Sequence, residues 1–65
     1  MSDYRVRAYV GGIGEVAAHS TETHISGQND IAMLMNKYPK KLVAIVEKKD
    51  QRASTGWRQI YRREN

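Results

Sequence analysis

The segment "YVGGIGEVAA", Tyr9–Ala18, carries Gly12, Gly14 and Ala17 in the G-x-G-x-x-G/A spacing of a dinucleotide-binding turn, and it follows the strand-like run "YRVRAYV". Such a turn works only when it opens directly into a helix, whose N-terminus then holds a pyrophosphate. Here the residues after the glycines, "EVAAHSTETHIS", are rich in Thr and β-branched side chains and show no sustained helical stripe. Counting on from the glycines leads to Asp30, placed to favour a helix start rather than to end a strand beside a ribose. The glycines therefore read as a hairpin turn, where positive φ is needed and glycine supplies it without steric cost.

His19 and His24 in "HSTETH" are the next candidates. Five positions apart, they point to opposite faces of a strand, or lie roughly 140° apart on a helix at 3.6 residues per turn. Neither geometry converges on a metal. With no cysteine in the chain, a zinc site would have to recruit Glu22 or a distant carboxylate. Ser20 beside His19 points the other way on a strand, and nothing resembles a nucleophile elbow. The expectation is a non-enzymatic chain with no catalytic, cofactor-binding or metal-ligating residue.

The elements that position these groups follow from hydrophobic periodicity. Tyr4, Val6, Ala8 and Val10 alternate with Arg5, Arg7 and Tyr9, the period of a half-buried strand. A second strand is expected through the Thr-rich segment. In "SGQND", Asn29 is the expected N-cap of a helix whose apolar face, Ile31, Leu34, Met35 and Tyr38, recurs at i, i+3, i+4 and i+7. Pro39 should stop that helix after roughly two and a half turns, because it lacks an N–H and disfavours helical geometry at Tyr38. "KLVAIVEKK" is apolar on both alternating sets and reads as a central strand. "WRQIYRR" alternates Trp57, Gln59 and Tyr61 with Arg58, Ile60 and Arg62 and forms the last strand.

The resulting expectation is a single small α+β domain over residues 1–65, β-β-α-β-β, with an antiparallel four-stranded sheet and one helix packed on one face. A chain of 65 residues buries only about 60% of its unfolded surface, and the absence of cysteine excludes disulfide staples, which favours association into a dimer. No apolar run approaches the roughly 18 residues of a membrane span, and "MSDYRVR" lacks an apolar signal core, so a cytoplasmic location is expected.

One helix leaves the other sheet face open. With Tyr4, Val6, Ala8 and Val10 under the helix, Arg5, Arg7 and Tyr9 lie on the open face. The last strand allows two arrangements: Trp57 and Tyr61 under the helix with Arg58, Ile60 and Arg62 outside, or the reverse. One of the two apolar sets of the third strand, Leu42, Ala44 and Val46 or Val43 and Ile45, must also emerge as an open hydrophobic strip, the usual mark of an interface. The expected binding residues are Arg5, Arg7, Tyr9, Trp57, Arg58, Tyr61 and Arg62. The expected function is regulation or inhibition of a larger protein or nucleoprotein complex through this face and the sheet edges. The competing expectation is direct nucleic-acid binding through the arginines and aromatics, favoured by a formal charge of +4. Lys37, Lys40 and Lys41 complement the helix dipole, and Lys48, Lys49 and Arg52 decorate the last loop.

Overall fold

Alternating apolar residues, two glycine turns and one capped helix produce the expected order of elements. The computed structural model describes residues 2–65. It contains β1 (Tyr4–Val10), β2 (Gly14–Thr21), α1 (His24–Lys37), β3 (Leu42–Lys49) and β4 (Trp57–Glu64). All neighbouring strands are antiparallel, in the order β2-β1-β3-β4, so the two most apolar strands are interior and β2 and β4 are the edges.

The glycine motif is the β1–β2 hairpin. Gly12 and Gly14 adopt φ of 86° and 105°, and the Ile13 N–H donates to the Val10 carbonyl at 3.0 Å, closing the turn. The backbone goes back into the sheet instead of opening a helix, so the arrangement that would hold a pyrophosphate is not built.

The helix begins six residues before the expected start. Asn29 is not its cap but lies in its interior, and His24, expected on a strand, is its first residue. Thr23 is the N-cap: its hydroxyl accepts from the Ser26 N–H at 3.0 Å, while the Thr23 N–H donates to Ser26 Oγ at 3.1 Å. This reciprocal box satisfies two backbone donors at the helix end, an advantage that outweighs the weak β-propensity of the Thr-rich segment. The extra turn also contains Gly27, which brings the helix close to the sheet. A Cβ there would meet both Val46 methyls at 3.0 and 3.1 Å. At the other end the helix stops at Lys37, with Tyr38 as C-cap, in agreement with the effect of Pro39.

The core lies between α1 and the two interior strands. Val6, Ala8 and Val10 of β1, Leu42, Ala44 and Val46 of β3, and Ile31 of α1 are 0–7% exposed. Leu34, Met35 and Tyr38 extend the helix side of this core, as their spacing requires. Asn65 fastens the end of β4 to the helix exit: its Oδ1 accepts from the Leu42 N–H at 3.0 Å and its Nδ2 donates to the Tyr38 carbonyl at 2.8 Å.

Candidate interface on the open sheet face

Cross-strand partners share a face, so the register decides which side chains meet away from the helix. Glu15 pairs with Tyr9, Ala18 with Arg7 and Ser20 with Arg5 across β2 and β1. Tyr9 pairs with Val43, Arg7 with Ile45 and Arg5 with Glu47 across β1 and β3. The emerging apolar set of β3 is therefore Val43 and Ile45, both half-buried, while Leu42, Ala44 and Val46 take the helix side.

The last strand adopts neither of the two arrangements its alternation suggests. A bulge between Val46 and Glu47 pairs Val46 with Tyr61 but Glu47 with Gln59, leaving Ile60 as the extra residue. The bulge shifts the phase of β4 midway. Trp57, Gln59 and Arg62 consequently lie on the open face, whereas Tyr61 packs with Ile60 against the core and places its ring edge-on to His24, centroids 6.0 Å apart. Arg58 shares the helix-side row with Lys48 and reaches Asp50 at 3.6 Å. Of the seven expected binding residues, whose two last-strand pairs are alternatives for the open face, Arg5, Arg7, Tyr9, Trp57 and Arg62 share that face; Tyr61 and Arg58 do not.

Arginines on this face are held by carboxylates and rings. Arg5 Nε donates to Glu47 Oε1 at 2.7 Å, and its guanidinium carbon stands 4.2 Å from the Trp57 ring centroid. Arg7 donates to the Tyr9 hydroxyl, reaches Glu15 at 3.4 Å and lies 4.0 Å from Glu47. Arg62 pairs with Glu64 at 2.9 Å. Glu47, only 8% exposed, is the hub of the first two groups. A carboxylate this buried is tolerable because the Arg5 guanidinium donates to it at 2.7 Å and the Arg7 charge stands 4.0 Å away. Its role was not legible in "KLVAIVEKK", where it reads as the polar end of an apolar strand.

Between β2, β1 and the start of β4 these side chains frame a shallow cavity of about 490 Å³, lined by Arg5, Arg7, Glu15, Ser20 and Trp57 among others. Its walls carry the guanidiniums of Arg5 and Arg7 and the carboxylate of Glu15, and Glu47 is paired with Arg5 beside them.

The two histidines serve separate local contacts. His19 Nε2 pairs with Asp30 Oδ2 at 2.9 Å, tying β2 to α1, and the Gln28 side-chain amide donates to His24 Nε2 at 2.9 Å. Among the described residues, no group of three or more His, Asp and Glu converges as a metal site would require. No helix among them is long and apolar enough to cross a membrane. No protein-family model, curated protein or solved structure matches the chain.

Proposed function

We propose that this protein is a non-enzymatic binding module that regulates a larger protein, or the protein part of a nucleoprotein complex, by docking through its open sheet face. The observation that carries this reading is the combination of the Val43–Ile45 apolar strip with Tyr9 and Trp57 beside carboxylate-paired arginines. Tyr, Trp and Arg around an apolar centre are the residue types that dominate protein interfaces. The two edge strands, β2 and β4, add unpaired backbone groups along which a partner strand can align.

Direct nucleic-acid binding is less favoured by the same geometry. Each of Arg5, Arg7 and Arg62 already lies within 4.0 Å of a carboxylate, so the face presents mixed charge, whereas phosphate binding draws its affinity from unopposed cations.

The test is affinity capture from nuclease-treated lysate with the native chain, an Ile45→Glu variant on the open face and a Met33→Glu variant on the exposed helix surface. Stoichiometric capture of one partner, lost with Ile45→Glu and kept with Met33→Glu, is the expected result. Anisotropy with labelled single-stranded DNA, duplex DNA and RNA runs in parallel. Binding that survives physiological salt and disappears when Arg5, Arg7 and Arg62 become alanine would overturn the reading in favour of nucleic acid. Sedimentation completes the set: a dimer that dissociates on Ile45→Glu would assign the face to a second copy.

A further inference from the structure

Arg5 carries more hydrogen-bonding capacity than the fold uses. Its Nε is committed to Glu47 and its face to Trp57, but among the described residues its two terminal nitrogens have no hydrogen-bond partner. The side chain is only 28% exposed and lines the cavity on the open face. Across the β1–β2 pairing lies Ser20, whose hydroxyl is also without a side-chain hydrogen bond among the described residues. A guanidinium held by a buried carboxylate on one edge and an indole on one face loses little further freedom on binding, and its free edge is a planar two-pronged donor.

We infer that this cavity receives the carboxylate of an aspartate or glutamate side chain presented by the protein partner, with the terminal nitrogens of Arg5 as its bidentate donors and the Ser20 hydroxyl as an additional one. The inference rests on the open face being a protein-docking surface, as proposed above. Local charge selects a carboxylate over a phosphate, since the planar fork matches either anion in a two-bond geometry. Glu15 in the wall and Glu47 paired with Arg5 oppose the second negative charge of a phosphate monoester and the repeated charges of a nucleic-acid backbone. Arg7 does not duplicate the role, because its guanidinium is already shared among Tyr9, Glu15 and Glu47.

The experiment is a nuclear magnetic resonance titration of the full isotope-labelled chain with tetraglutamate, tetraglutamine, inorganic phosphate and oligothymidylate at constant ionic strength. Expected are saturable shifts of the Arg5 Nε–H and Trp57 indole N–H with tetraglutamate alone, weakened at least tenfold in Arg5→Gln and unchanged in Lys40→Gln/Lys41→Gln. Arg5→Lys keeps a cation opposite Glu47 while removing the fork, so it guards against a folding defect and should also lose binding. Tetraglutamate shifts that persist in Arg5→Gln, native-like affinity in Arg5→Lys, absence of saturation, or tighter binding of phosphate or oligothymidylate would each overturn the assignment. Because the titration needs no partner, it separates the two readings. Partner capture that is sensitive to Ile45→Glu but accompanied by no Arg5-dependent titration would remove the carboxylate site and leave the docking face.

Discussion

Under α1, Val6, Ala8, Leu42, Ala44 and Val46 exclude water almost completely; on the opposite face of the same two strands, Arg5, Arg7, Val43, Ile45 and Glu47 alternate with them, with no second layer over them and only side chains of the same face, such as Tyr9, Glu15 and Trp57, against the arginines. Both faces obey the same two-residue period. The helix side gains its stability from apolar burial, which is non-directional and tolerates any well-packed shape. The open side relies on directional contacts, a carboxylate flanked by two guanidiniums and rings stacked against them. Such a face can remain exposed without collapsing, and it keeps groups that a partner can still engage.

Substitutions on the two faces break or sharpen this contrast. The largest effect is expected from Ile31→Ala: the residue is fully buried at the centre of the helix contact, and its loss should cost about 3 kcal/mol. In a domain of this size, with a total of roughly 3–10 kcal/mol, urea unfolding should show a greatly lowered midpoint. Glu47→Gln should come next, at about 1–2 kcal/mol, since Arg5 and Arg7 lose their shared counter-charge while the site stays partly desolvated. A Glu47→Gln loss equal to that of Ile31→Ala would mean that the open face is as much a structural core as the covered one.

Gly27→Ala tests how tightly the helix is seated. Alanine improves helix propensity, but its Cβ would press on the methyls of fully buried Val46, and the balance should be a net loss of about 1 kcal/mol by the same unfolding measurement. A stabilised variant would show that the helix can lift from β3 at little cost. Arg62→Ala should be nearly silent, about 0.5 kcal/mol or less, because both members of the Arg62–Glu64 pair are more than half exposed. Any larger loss would indicate that this edge of the open face contributes to the fold and not only to its surface chemistry.

Much of the fold was legible from local pattern. The alternation in Tyr4–Val10, the doubly apolar "KLVAIV" and the Ile31–Tyr38 stripe each report a burial that repeats with the period of its element. The helix start differs from the expectation because Thr and Ser serve strands and caps alike. The signal was nevertheless present: Thr23 and Ser26 stand at capping-box spacing, with serine in the place more often held by Glu or Gln. The candidate interface was legible only in part. Arg5, Arg7 and Tyr9 follow from the phase of β1, whereas the assignment of Trp57 to one face and Tyr61 to the other depends on a bulge that pairing with β3 creates.

The chain's own pattern thus determined the element types, their order, the glycine hairpin and the face of β1 that is buried, because each depends on the period of neighbouring residues or on the allowed φ of one. Tertiary structure alone decided the strand order, the phase shift in β4 and the meeting of Arg5 with Glu47 and Trp57. Those contacts join residues 42 and more positions apart, and their geometry exists only once the antiparallel register has placed the strands side by side.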